Sequence, residues 1–300
     1  MLKFIPQTIQ DKNGKCIKLN VIKKRKCYRL SYTINTSNQF YKNCGNKIFT
    51  KEIPKSISVN DETFEVIGLL KAEMSKTFGR PLTFCNSEPL IINRVIDWFN
   101  REFCFSHKIW KWYIKININE PTDKYYKRFI ENKVTNFWLN NSKIFYKNNY
   151  PKTVSYVKYT KNKKLASPDF GTLIIEKRDS IFCQLIINLV ERLSSEVPNY
   201  SNQQIKCFMR GIIAGEGCIA INLQAKAYRV QIASVNKKDK QLYYDCLKKI
   251  GVLSKIYKDD MVAVSKKENH MKLLNYDLVS LHPQKHTKFL DMIRLYGNLH

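Results

Sequence analysis

Two short segments hold the residues best suited to chemistry. VIGLLKAEM spans residues 66–74 and MRGIIAGEG spans residues 209–217. Each places a small residue at i and i+4: Gly68 and Ala72 in the first, Gly211 and Gly215 in the second. An acid follows directly in both, Glu73 and Glu216. On a helix, residues four apart share one face. Glycine inside a helix costs up to about 1 kcal/mol relative to alanine, a cost that makes sense where two backbones touch. Small residues at this spacing allow such a crossing, a packing best described in membranes; the flanking charges place it in a soluble core. If the helices lie side by side, both acids emerge at the same end. Paired carboxylates are hard oxygen donors that favour Mg2+. A divalent cation held there suits phosphodiester hydrolysis. Either segment alone reads as core packing; the pair is what points to a site. Lys76 is the one nearby base placed to pair with Glu73, and Glu216 has none within four residues.

The charge balance supports a polyanionic partner. The 300 residues include 52 Lys and Arg against 25 Asp and Glu, a net +27. Such a chain repels itself and favours nucleic acid, where each neutralised phosphate releases counterions. A hydrophobic fraction of 44% with 12% aromatics excludes a mostly disordered basic tail. No apolar run approaches the length of a membrane span, and no basic amphipathic helix shows a clean apolar face for a membrane surface. The nine cysteines form no C-x-x-C pair, which argues against structural zinc and a disulfide framework. They read as reduced thiols of an intracellular protein, and the start, MLKFIPQTIQDKNGK, lacks a signal core. His107, His270, His282, His286 and His300 show no metal-binding pattern.

The elements that must position the acids follow from periodicity and caps. Residues 1–52 read as short strands of an N-terminal extension packed on the main body, with a DNA-contacting arm as the lesser alternative. Residues 53–198 read as a first repeat with a basic enlargement, and residues 199–300 as a second repeat. Asn60 is a plausible N-cap, with Asp61 and Glu62 in the first turn of a helix ending near Glu73. SKTFGRPLTFC reads as a hairpin turning at Gly79-Arg80-Pro81. SEPLIINRVIDWFNREF reads as a helix with Ile91, Val95, Trp98 and Phe99 on one face. KIWKWYIKININ alternates: Trp110, Trp112, Ile114, Ile116 and Ile118 point one way, Lys111, Tyr113, Lys115, Asn117 and Asn119 the other. Residues 105–165 hold 14 basic and 3 acidic residues and include a helix, DKYYKRFIENKV. GTLIIEKRD is a further strand and SIFCQLIINLVERL a helix. SSEVPNYSN reads as a linker broken at Pro198. Ser201 and Gln204 then form a capping box. A helix, a hairpin of CIAINL and YRVQIASV, a helix, two strands and two closing helices follow. Helix, strands, helix, strands, helix thus occurs twice, and such a repeat predicts a pseudo-two-fold molecule.

VIGLLKAEM and MRGIIAGEG resemble the two signature helices of the two-motif, monomeric LAGLIDADG homing endonucleases. The resemblance extends over about residues 53–290, with LTFCNSEPLIINRVIDWF similar to that family's strand and helix after the motif. It implies an α+β fold of two pseudo-symmetric αββαββα repeats forming a DNA-binding saddle. It implies a monomer that cuts double-stranded DNA at a specific site, leaving short 3′ overhangs. Glu73 and Glu216 would be the catalytic acids that hold Mg2+. Lys177 and Lys266 stand near the place of a lysine at the end of the fourth strand, a further catalytic position. The family's water-positioning glutamine maps near Cys85 and near Ala233 or Ser234, none of them glutamine. Met74 replaces the glycine usual after the first acid, which leads one to expect a distorted helix exit. Such enzymes are commonly encoded in introns or inteins. The initial Met and the ending Asn298-Leu299-His300 give no expectation of self-splicing. Two other functions fit the same fold: a maturase that binds intron RNA, and a nuclease-inactive DNA-binding regulator.

Base readout requires side chains that reach the major groove. The polar strand faces offer Lys76, Arg80, Thr83, Lys111, Tyr113, Lys115 and Asn117 in the first repeat. The second offers Asn222, Gln224, Lys226, Arg229 and Gln231. Lys158, Lys161, Lys163 and Lys164 suit phosphates. The aromatics of residues 105–165 offer stacking for single-stranded bases, although strand alternation assigns most of those rings to the core.

Overall fold

The computed structural model describes residues 8–10, 16–35, 46–75, 81–104, 110–143, 154–156 and 170–297. Five strands come first: β1 (Thr8–Gln10), β2 (Cys16–Lys18), β3 (Asn20–Lys23), β4 (Cys27–Asn35) and β5 (Asn46–Pro54). β1 pairs with β2, and β3, β4 and β5 form an antiparallel sheet. β5 runs past residue 52, pairing Ile53 with Tyr28 and Pro54 with Cys27. This segment packs on the body through Leu30 and Ile53, both in the main apolar cluster. Lys51 Nζ also lies 2.9 Å from Asp179 and faces the Phe182 ring.

The first repeat follows as α1 (Asp61–Glu73), β6 (Leu82–Asn86), α2 (Pro89–Phe103), β7 (Lys111–Ile116), α3 (Lys124–Asn141), β8 (Val154–Tyr156), β9 (Thr172–Lys177) and α4 (Ser180–Glu196). The second comprises α5 (Asn202–Glu216), β10 (Gly217–Asn222), β11 (Ala227–Ala233), α6 (Lys237–Lys249), β12 (Ser254–Tyr257), β13 (Met261–Val264), α7 (Lys267–Asn275) and α8 (Pro283–Arg294). Their sheets run β6-β9-β7-β8 and β10-β11-β13-β12. The registers correspond. Met74 bridges Phe84 as Gly217 pairs with Ile232, and those partners lie against Ile175 and Val262. Hence β6, β9 and β7 match β11, β13 and β12. The first repeat inserts α3 and β8 where the second has only the turn at residues 258–260; β8 extends the sheet by parallel pairing with β7. The architecture is the expected α+β double repeat. The expected turn at Gly79 and Arg80 lies outside the described residues.

Local sequence explains the elements that carry the site. Asn60 caps α1 by accepting the Thr63 N–H at 2.9 Å, and Ser201 with Gln204 caps α5 reciprocally. Strand alternation holds in β7: Trp112, Ile114 and Ile116 are buried, while Lys111 and Lys115 are exposed. α3 runs further than the segment DKYYKRFIENKV because Trp138 continues the apolar stripe of Ile130 and Val134, and Trp138 Nε1 donates to the Phe170 carbonyl at 3.0 Å. The expected linker is absent. α4 continues through Glu196, Val197–Asn199 form one 3-10 turn, and Ser201 starts the next cap. Val197 is fully buried and the Tyr200 ring lies 4.6 Å from that of Phe64. Apolar burial therefore overrides the polar composition, and Pro198 fits a first turn that needs no N–H from it. Among the described residues no helix is long and apolar enough to cross a membrane.

Candidate active site and nucleic-acid interface

The two signature segments form α1 and α5, which cross in direct backbone contact. A Cβ built on Gly68 would stand 2.2 Å from the Phe208 carbonyl oxygen, and one on Gly211 2.2 Å from that of Glu65. One on Gly215 would meet the Ala72 methyl at 2.5 Å. All four small residues thus occupy the crossing. Ion pairs lock it from both sides. Arg210 of α5 holds Glu65 of α1 at 3.0 Å, and buried Lys71 of α1 holds Glu191 of α4 and Asp239 of α6 at 3.0 Å each.

The same crossing brings the acids together. A Cβ at Gly215 would lie 3.5 Å from Glu73 Oε1, so the first carboxylate rests over the residue preceding the second. The Glu73 carboxyl is pushed above its usual 4.5 by burial and then by the charge of Glu216. Two like charges confined this way favour a cation between them. Lys285, from the first turn of α8, opposes that effect. Its ammonium donates to the carbonyls of Ala214 and Gly215 at 2.6 Å each, and of Ile213 at 3.3 Å. It closes the end of α5 as a cation suits a helix C-terminus. Burial lowers its pKa, opposed by Glu73, Glu216 and Cys218.

The expected distortion at Met74 is not found. Met74 leaves α1 at φ −83, ψ 140, and Gly217 leaves α5 at φ −73, ψ 144. Each donates its N–H to a carbonyl of the last helical turn, Leu70 or Ile213. This extended conformation carries no left-handed strain, so Met74 adopts it, whereas a Cβ added at Gly217 would stand 2.3 Å from the Ile213 carbonyl oxygen.

Strand registers sort the other predicted residues. Thr83, Lys111, Tyr113 and Lys115 share the sheet face turned away from the helices, together with Cys85. Burial, then Glu73, raises the Cys85 thiol pKa, and Lys115 opposes the shift. Arg229 and Gln231 occupy the corresponding face of β11. Asn222 shares that face, but its side-chain oxygen accepts the Ala225 N–H at 2.9 Å and shapes the β10–β11 turn. Gln224 and Lys226 sit exposed in that turn, and Asn117 is exposed just past β7. Lys76 and Arg80 lie outside the described residues. Lys177 is not brought to the acids. Alternation puts it on the helix-packed face with Leu173 and Ile175, and burial followed by Lys51 lowers its pKa. A one-residue step flips a strand side chain to the other face, which the approximate placement from sequence did not resolve. Lys266 lies exposed before α7, lining a cavity of about 330 Å3 with Lys226, Arg229, Lys267 and Tyr296. The acids are not part of that lining.

No family model matches the chain, and no curated protein matches it. Among solved structures it is similar to I-DmoI in complex with DNA and Ca, with a TM-score of 0.40 and 12% identity over 76% of this chain and 96% of that one. It is similar to I-DmoI with DNA and Mn, at 0.40 and 13% over 73% and 96%. It is also similar to the N-terminal LAGLIDADG domain of DUF199/WhiA, at 0.35 and 10% over 74% and 84%. Identities this low concern the path of the chain alone; function is read from this chain's own side chains.

Three groups escaped the sequence reading. Lys255 and Tyr257 on β12 share the outer face with Arg229, whose guanidinium lies 5.4 Å from the Tyr257 ring. The register makes them the counterparts of Lys111 and Tyr113. The signal was present: K-W-Y and K-I-Y repeat the same spacing. Lys285 left no such signal, because its role arises only when α8 meets the end of α5.

Proposed function

We propose that the chain is a monomeric, divalent-metal-dependent endonuclease that binds double-stranded DNA across its two basic sheet faces and cuts it at a specific site. The carrying observation is the crossing that sets Glu73 and Glu216, one from each repeat, at a common end. The donor set fits Mg2+, which is typically bound through one or two carboxylates plus substrate phosphates. Held by Glu73 and Glu216, Mg2+ would supply a Lewis acid for phosphoryl oxygens and an activated water. The chain's own residues do the rest. The Gly68–Gly211 contact fixes the spacing of the acids. Lys111, Tyr113, Lys115, Arg229, Gln231, Lys255 and Tyr257 face the duplex, where Arg and Lys suit guanine and Gln suits adenine. Because one chain supplies both acids, each serves one strand. The enzyme would act inside the cell where its target DNA lies, in the manner of intron homing.

The test uses a plasmid library carrying the sequence around the uninterrupted gene site. The parent should cut with Mg2+ and not with EDTA. Glu73→Gln and Glu216→Gln should each abolish double-strand cleavage while duplex binding persists. Cutting by both variants at the parental rate would overturn the assignment. Lys285 favours a second reading, a DNA-binding protein without nuclease activity, because its half-buried ammonium offsets part of the charge that attracts a metal. Sequence-specific binding with no cleavage under any divalent cation would select that reading.

A further inference from the structure

The inserted helix α3 presents a surface separate from the duplex-facing sheets. The tryptophans nearest to it in sequence belong to the core: Trp110, Trp112 and Trp138 are buried. Its first turns do the reverse. Tyr125 is 88% exposed, Phe129 61% and Tyr126 46%. α3 packs through Ile130, Val134 and Trp138, and helical spacing turns positions 125 and 129 away from that stripe, while Tyr126, four residues before Ile130, carries the stripe past the buried core and stays partly exposed. The Tyr126 and Phe129 rings lie nearly parallel, 6.5 Å apart. Basic residues interleave with them: Lys124, Lys127 and Arg128. Lys127 is tied to Glu120 and lies near the Tyr156 ring, so Lys124 and Arg128 are the cations best placed for a ligand. Rings kept in water forgo the burial that stabilises the rest of the fold.

We infer that this patch is a stacking platform for an unpaired stretch of nucleic acid. Every base offers a π-face to an exposed ring, and flanking cations meet the phosphates between bases. Charge selects this occupant over an apolar protein surface, which would have to desolvate the same cations. The second repeat has only a short turn at the equivalent place, so the platform is a property of one half of the molecule. It does not depend on the acid pair and stands if that site proves inert.

The test measures binding of the full chain to labelled oligo(dT), oligo(U) and a mixed-sequence duplex. The parent should bind at least one single strand, and the preferred one identifies the ligand as DNA or RNA. The combined variant Tyr125→Ala, Tyr126→Ala, Phe129→Ala should weaken single-strand binding by about tenfold per stacked ring and leave duplex binding unchanged. These side chains are exposed, so an unaltered melting curve confirms that the variant is folded. Tyr125→Phe with Tyr126→Phe should retain single-strand binding, because stacking needs only the ring. Lys111→Gln with Lys115→Gln should weaken duplex binding alone. The inference is overturned if the alanine variant binds both oligomers like the parent, if it loses duplex and single strand equally, or if the parent binds neither oligomer.

Discussion

Gly68→Ala is the sharpest probe of the helix crossing. In an ordinary helix this change gains about 1 kcal/mol from propensity. Here the added methyl would stand 2.2 Å from the Phe208 carbonyl oxygen and 3.1 Å from Gly211 Cα, both backbone atoms of α5. Reaching ordinary contact requires roughly 1 Å of separation between two helices buried along their shared face. Overpacking of this kind costs about 1–3 kcal/mol, and more where neither partner can rotate aside. We therefore expect a net loss of about 2 kcal/mol after the propensity gain. The same separation draws Glu73 away from Glu216, and misplacement on the order of 1 Å costs on the order of 10²-fold in rate. Urea unfolding measures the first effect and plasmid cleavage the second. Gly251→Ala is the control: Gly251 has φ +77 and nothing within 4 Å, so only left-handed strain of about 1–2 kcal/mol should appear, with cleavage intact. A Gly68→Ala protein as stable as the parent would refute the close crossing, and with it the placement of the acids.

Three further outcomes follow from the charges around the crossing. Lys71→Met leaves Asp239 buried without its cation and should cost about 3 kcal/mol in chemical denaturation, the lower end for a broken buried pair because Glu191 is half exposed; unchanged stability would show that the contact between α1 and α6 carries no weight. His282 caps α8 in neutral form, its pKa pushed from 6.5 down to about 4 by burial and then by Lys285. Its contribution of roughly 3 kcal/mol is present above pH 6.5 and lost as pH falls toward 4, and His282→Asn, which keeps a cap acceptor, should flatten that limb of the melting-temperature profile. Glu73 has a pKa raised above 4.5, so the metal-free fold gains from its bound proton at low pH and loses that gain as pH rises through the raised value. Added Mg2+ should therefore raise the melting temperature more at pH 8 than at pH 5, and Glu73→Gln should remove the difference.

Much of the fold left direct marks on the sequence. The α1–α5 crossing was legible because close backbone approach admits only small side chains, so Gly68, Ala72, Gly211 and Gly215 stand out at helical spacing. Caps at Asn60 and Ser201 fixed both helix starts, and the alternation of residues 110–118 separated the core face of β7 from its basic face. The failures share one cause, the absence of a local signature for a nonlocal contact. Val197 and Tyr200 sit among polar residues, yet bury against the core and remove the supposed linker. Lys177 was placed by counting, which locates a strand end but not the face of its last residue.

Lys285 is the instructive case, because it bears on the chemistry and no spacing rule reaches it. Its ammonium is committed to three carbonyls of α5, so its first role is to close that helix. The same end of α5 carries Glu216 and meets Glu73. A cation fixed there lowers the cost of ionising two crowded carboxylates, and it does so without a metal. It also subtracts from the field that would draw a metal in. Under the proposed function, the balance between these effects decides between a nuclease and a protein that only holds DNA. In the first, the acids should bind Mg2+ and cut; in the second, Lys285 already supplies the counter-charge that keeps the crossing folded.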